Sequence, residues 1–155
     1  MMTSLTCDVL RALSGKTLVT AESCTGGGIG AALTAIPGSS EVYKGGVISY
    51  TNWVKENILG VDGEMLDQYG AVSAQVAQAM AAGVRRQLQA GVAISVTGLA
   101  GPGGDDFGNP VGTVYIGYCD TNKLYAKKYK FSGDRDAVRR EATISSLEFV
   151  LQENI

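Results

Sequence analysis

The sequence predicts a three-layer α/β/α domain built on a mixed sheet. Three observations carry that expectation. Segments of helical and strand periodicity alternate along the chain, short apolar runs are bounded by glycine, and the alternation gives way to a hairpin near residue 120. The chain has 155 residues, 45 % of them hydrophobic, which is enough for one domain with a substantial core. No linker, low-complexity tract or internal repeat divides it, so residues 1–155 read as a single unit.

Residues 3–14 read as a helix with Leu5, Val9, Leu10 and Leu13 on one face, ended by Gly15. Residues 17–20 form a short buried strand. The spacing of Ile29, Leu33 and Ile36 predicts a helix over 25–36, closed by Pro37-Gly38. Residues 45–50 read as a second strand and 53–59 as a short helix. Ser73 is expected to cap a helix over 74–90, where Val76, Met80, Val84 and Leu88 recur every fourth residue among alanines. Gly91 ends it. Residues 92–96 are continuously apolar, as a central strand requires. Residues 113–119 and 124–131 form the expected hairpin through Asp120-Thr121-Asn122, and a last helix runs from near Asp134 to about Leu151.

Composition removes several function classes. There is no histidine, which excludes Ser-His and Cys-His catalysis and any His-ligated metal. A net charge of −2 and the lack of a basic run argue against a nucleic-acid groove. Cys7, Cys24 and Cys119 form neither a disulfide framework nor a CxxC motif, so a reducing cytoplasm is the expected compartment. The first residues lack the cationic start and apolar core of a signal peptide. The uncharged runs 23–40 and 87–104 carry Pro and Gly and are not apolar enough to span a membrane. Asp105-Asp106 reads as a solvated turn rather than a metal-ligand set.

Of the 21 glycines, 12 fall in three clusters, within 26–30, at 45–46 and within 98–112, each at an end of an expected strand. One such cluster is equally well a tight turn; several together point to a ligand site beyond the strand ends. Gly26-Gly27-Gly28-Ile29-Gly30-Ala31 fits the dinucleotide fingerprint G-x-G-x-x-A, but residues 47–52 lack the acid that would hold a ribose, which weighs against an oxidoreductase. The sequence carries no Walker A loop.

Residues 21–27, Ala-Glu-Ser-Cys-Thr-Gly-Gly, place Ser23, Cys24 and Thr25 on a turn into a helix. A helix N-terminus there could activate a hydroxyl and offer N–H groups to an oxyanion; the plainer reading is that Ser23 or Thr25 caps the helix. A serine nucleophile needs a base, and without histidine that base is a lysine whose pKa burial has lowered. Lys55, after the aromatic stretch 50–54, suits this best, although it also reads as an exposed lysine at a helix start. Lys123, Lys127, Lys128 and Lys130 belong to the hairpin's solvent face. The loop 96–104 is rich in backbone donors for a phosphate or an amide, and Arg135 and Arg139 reach a phosphate or balance nearby acids.

Six motifs then coincide with one family. They are Ala-Glu-Ser-Cys-Thr-Gly-Gly at 21–27, Gly-Gly-Val-Ile-Ser-Tyr-Thr-Asn at 45–52, Gly-Ala-Val-Ser at 70–73, Ser-Val-Thr-Gly-Leu-Ala-Gly-Pro at 95–102, Pro-Val-Gly-Thr-Val at 110–114 and Gly-Asp-Arg at 133–135. In this order they resemble the CinA C-terminal domain family, whose active members are nicotinamide mononucleotide deamidases. The likeness extends from about residue 5 to 150, and the chain resembles the stand-alone form rather than the larger proteins with an additional N-terminal domain. It implies metal-free, cofactor-free hydrolysis of a nucleotide carboxamide in pyridine-nucleotide recycling, a small-molecule nucleotide as partner, and room for a homo-oligomer. Carried over by motif, Ser23 is the nucleophile, Lys55 its base, Tyr50 a proton relay or holder, and Thr97 orients the amide or the lysine. Gly26, Gly27, Gly98, Ala100 and Gly101 would receive phosphate or oxyanion, with Thr25 and Gly46 completing the binding set. Arg135 and Arg139 are candidates for the phosphate or an inter-subunit contact. A binding module without catalysis and a Cys24 nucleophile remain the rival readings.

Overall fold

A computed structural model describes residues 2–155. The chain runs through α1 (Met2–Ala12), β1 (Leu18–Glu22), α2 (Gly28–Thr34), a 3₁₀ turn (Ser39–Glu41), β2 (Tyr43–Ile48), α3 (Asn52–Asn57) and α4 (Gly63–Tyr69). It continues through α5 (Ala74–Leu88), β3 (Val92–Gly98), β4 (Thr113–Cys119), β5 (Leu124–Lys130) and α6 (Arg135–Glu153). The five strands form one sheet in the order β2-β1-β3-β4-β5. β1 is parallel to both β2 and β3, whereas β4 and β5 are antiparallel additions. The mixed α/β/α architecture expected from the sequence is therefore present.

Strand alternation assigns the two faces. Leu18, Ile94, Val96, Val114, Ile116 and Tyr118 pack with Val9 and Leu13 of the first helical region, Ile29 and Leu33 of α2, and Val138, Leu147 and Phe149 of α6. Val19, Ala21, Ala93 and Cys119 point to the opposite face, against Leu66 of α4 and Val76, Met80 and Val84 of α5. The helical column read along 76–88 is thus the buried stripe of α5. Ser73 caps that helix as expected, its Oγ accepting from the Val76 N–H at 3.2 Å. Among the described residues no helix is long and apolar enough to cross a membrane.

Two boundaries and one element depart most from the sequence reading. The helix expected over 25–36 is confined to α2, because Gly26 and Gly27 take positive φ (61° and 106°) and keep the preceding turn outside it. The second strand starts two residues early, at Tyr43, whose hydroxyl meets Thr20 Oγ1 at 2.7 Å, and it releases Ser49 and Tyr50 beyond the sheet. α4 carries no periodic signal, since Leu66 is its one buried residue; the Asp62 side chain caps it by accepting from the Glu64 N–H at 3.0 Å.

Gly83 tests the α5 contact. In an open helix interior alanine is better than glycine by about 1 kcal/mol. A Cβ on Gly83, however, would press into the backbone carbonyl of Leu59. Overpacking of this kind costs roughly 1–3 kcal/mol, so Gly83→Ala is expected to destabilise despite its propensity gain. A lower denaturant midpoint at unchanged m-value is the expected result; a raised midpoint refutes this packing argument.

Candidate active site

The carboxyl ends of the parallel strands β1, β2 and β3 meet on one rim, where open α/β sheets place their ligands. Ser23 follows β1 directly and extends its pairing, donating its N–H to Val96 O at 3.0 Å. Register Glu22↔Ile48 sets the end of β2 level with that of β1, and the Ser49 N–H donates to Glu22 O at 2.8 Å. Thr51 caps α3 by accepting from the Val54 N–H. Helical side chains tilt toward the N-terminus, so Lys55, one turn into α3, points back at the strand ends.

Lys55 is 1 % exposed. Its Nζ lies 3.0 Å from Ser23 Oγ, 2.6 Å from Ser49 O and 3.3 Å from Tyr50 O. Burial lowers the Lys55 pKa to about 8. A neutral amine has two N–H donors and one lone pair. In the structure Nζ donates to Ser23 Oγ, whose hydroxyl donates to Tyr50 O at 3.5 Å. Once the amine is neutral and its two donors are spent on the carbonyls, its lone pair would face the Ser23 hydroxyl instead. That is the geometry of a base poised on a nucleophile. Cys24, one residue on, is 6 % exposed, and burial pushes its thiol up to about 11.

These groups open onto a cavity of about 680 Å³, lined by Ser23, Cys24, Tyr50, Lys55, Thr97, the loop 98–107 and Arg135. The volume suits a mononucleotide-sized ligand. The Thr97 hydroxyl donates to Ala71 O at 2.9 Å. The Tyr50 ring is exposed and does not touch Ser23 or Lys55 with its phenol; only its backbone carbonyl does. The phenol oxygen accepts from Arg135 Nη2 at 3.1 Å, while Arg135 Nη1 donates to Gly101 O at 2.6 Å. The N–H groups of Ala100, Gly101, Gly103 and Gly104 have no acceptor among the described residues. Also among the described residues, no three Cys, Asp or Glu side chains gather to hold a metal ion.

Ser23, Lys55, Tyr50, Thr97, Gly98, Ala100, Gly101 and Arg135 are thus brought together. Thr25, Gly26, Gly27, Gly46 and Arg139 are not on this wall. Gly27 and Gly46 line a separate hollow beside Tyr43, and the Arg139 guanidinium is engaged by the carbonyls of Cys24 and Thr25. One expectation needs correction. The first turn of α2 is not free to bind an oxyanion, because the Glu22 carboxylate accepts from Ile29 N–H at 2.8 Å, Gly30 N–H at 3.0 Å and Thr25 Oγ1 at 2.6 Å. Glu22, 2 % exposed, was the residue missed by sequence reasoning; a lone carboxylate closing an apolar strand just before a helix was the available signal.

The comparisons with known proteins agree with one another. The CinA C-terminal domain family matches residues 2–154. A CinA-like protein of Acaryochloris marina is 49 % identical over 136 residues, covering 86 % of this chain and 32 % of its own length. A CinA-like protein of Thermosynechococcus vestitus is 47 % identical over 141 residues, covering 89 % of this chain and 34 % of its own. The chain therefore spans about a third of the length of these relatives. The nicotinamide-nucleotide amidohydrolase PncC of Pseudomonas putida is 43 % identical over 135 residues, with 87 % of this chain and 84 % of that protein aligned. A competence or damage-inducible protein from Enterobacter asburiae superposes with a TM-score of 0.97 at 36 % identity, over 100 % of this chain and 99 % of that one. With its fold, its strand-end site and these matches in register, the chain belongs to the CinA C-terminal domain family.

Proposed function

We propose that this chain hydrolyses the carboxamide of nicotinamide mononucleotide to nicotinate mononucleotide and ammonia, with Ser23 as nucleophile and Lys55 as base. The observation that carries the reading is the 3.0 Å contact between a buried amine and a serine hydroxyl at the wall of a mononucleotide-sized cavity. The Pseudomonas relative, aligned over most of its length, bears the name of that activity. In this reading the enzyme works in cytoplasmic pyridine-nucleotide recycling.

The steps follow from the groups present. Ser23 Oγ bonds to the amide carbon as its proton passes to Lys55 Nζ. The carbonyl oxygen becomes an oxyanion, stabilised by backbone N–H donors; one such donor contributes about 2.7–4 kcal/mol in comparable sites. Lys55 returns the proton to the amide nitrogen, the C–N bond breaks and ammonia leaves. Water, deprotonated by the same amine, then cleaves the acyl-enzyme and regenerates Ser23. The Ser49 and Tyr50 carbonyls hold the amine in place throughout. Thr97 shapes the wall where the amide sits, and Arg135 with the unpaired N–H groups of the loop 98–104 supports phosphate binding at the far end of the cavity.

Ammonia release from nicotinamide mononucleotide by the purified chain is the direct test; a binding module would release none. Ser23→Ala and Lys55→Ala are each expected to reduce turnover on the order of 10⁴-fold or more while leaving the circular dichroism spectrum unchanged. Cys24→Ala should retain activity, since a thiol at about 11 is a poor source of thiolate near neutrality; activity lost in Cys24→Ala and kept in Ser23→Ala reverses the assignment. The pH profile carries a sign. Below about 8 Lys55 is an ammonium ion and cannot take the Ser23 proton, so kcat/KM should rise with pH through about 8 and level above it. A profile flat across that range contradicts a lysine base.

A further inference from the structure

The guanidinium of Arg139 engages the nucleophile loop without lining the cavity. Nε donates to Cys24 O at 3.1 Å and Nη2 to Thr25 O at 3.3 Å, across 115 and 114 positions of sequence. Among the described residues Arg139 is the one partner of the Cys24 carbonyl. Arg139 itself is half-buried on α6 and is not part of the cavity lining. The contact is close on both flanks: a Cβ on Gly26 would stand 3.4 Å from Arg139 Nη2, and one on Gly28 would stand 2.8 Å from Thr143 Oγ1, one turn further along α6.

We propose that Arg139 is a positioning residue for amide hydrolysis: by holding the Cys24 and Thr25 carbonyls against α6, it fixes the peptide that carries Ser23 in line with Lys55. The inference rests on the deamidase reading above. Ser23 is tied to β3 through its own N–H and to Gly26 through its carbonyl, which accepts from the Gly26 N–H at 3.1 Å. The peptide after Thr25 is already held, its N–H by Ser23 O and its carbonyl by the Gly28 N–H, at 3.1 Å each. The peptide after Cys24 is the rotation left to restrain, and the Arg139 bond to Cys24 O restrains it. A trans peptide points its N–H opposite its C=O. The Thr25 N–H, without an acceptor among the described residues, is accordingly turned away from α6. A planar fork engages two carbonyls at once; a lysine ammonium on a flexible stem does not reproduce that pair.

The test uses the full chain and separates this role from a phosphate contact. Arg139→Met is expected to lower kcat about 10²-fold, the scale of a misplaced reacting group, with KM for nicotinamide mononucleotide held within about threefold. Sulfonylation of Ser23 by phenylmethanesulfonyl fluoride, which has no phosphate, should slow in parallel. Arg139→Lys should recover little, whereas millimolar guanidinium should partly restore Arg139→Ala. Arg140→Met, exposed on the same helix, should behave as wild type. A raised KM with unchanged kcat and unchanged labelling overturns the proposal in favour of a phosphate contact, and unchanged kinetics overturn it outright. If Arg139→Met does not fold, Arg139→Lys and the guanidinium rescue decide. Should the wild type release no ammonia, the deamidase reading fails, while the Ser23 labelling rate still reports on Arg139 independently.

Discussion

A lysine amine buried without a carboxylate is the constraint from which the site is built. Lys55 Nζ meets only oxygens of Ser23, Ser49 and Tyr50, and the ion pairs found among the described residues, Arg11–Asp8 and Lys123–Glu153, lie elsewhere. A nearby acid would stabilise the ammonium and spoil the base; bare apolar surroundings would leave polar atoms unpaired. Two backbone carbonyls satisfy the amine while adding no net charge. This works only because β1 and β2 end level, with Glu22 opposite Ile48. A one-residue slip in that register would carry the Ser49 carbonyl away from Ser23 and turn every β2 side chain to the other face.

Two further charges at the nucleophile loop are also met by backbone. Glu22 accepts two N–H groups of α2, and Arg139 donates to two carbonyls. Opposite charges thus grip opposite polar ends of the same segment. The carboxylate at the start of α2 has a consequence for ligand orientation. An anion is favoured at a helix N-terminus, but here Glu22 already supplies it. In the proposed reaction a substrate phosphate would therefore be directed away from α2, toward Arg135 and the loop after β3, which would leave the amide at the Ser23 end.

The parts legible in sequence are those whose signal is local. α5, β3 and the β4–β5 hairpin follow from period and turn chemistry within a dozen residues, and they appear close to where the patterns put them. α4 was illegible because seven residues with one buried side chain show no period. At the site, the absence of histidine pointed to a lysine base, and the structure places Lys55 Nζ 3.0 Å from Ser23 Oγ. What the pattern could not hold was the partner of each polar side chain. The Tyr50 phenol pairs with Arg135, 85 positions away, and Arg139 with Cys24, 115 away; both pairings depend on how α6 docks across the layers.

The glycine clusters show why composition alone misassigns such positions. Gly98, Gly101, Gly103 and Gly104 do line the cavity, with backbone donors unspent at three of them. Gly28, Gly30 and Gly46 serve a different need: an added Cβ would run into Thr143 Oγ1, the Tyr43 hydroxyl and Thr20 Oγ1 respectively. At Gly98 and Gly101 the missing side chain serves both needs, since an added Cβ would also press on Val114 and Val111, whereas one at Gly103 or Gly104 would press on nothing. A sequence count cannot separate these uses. The second use brings α6 against α2 at Gly28, and β2 against α2 and β1 at Gly30 and Gly46. β1 and α2 flank the turn that carries Ser23, so close packing of these elements fixes where that turn sits.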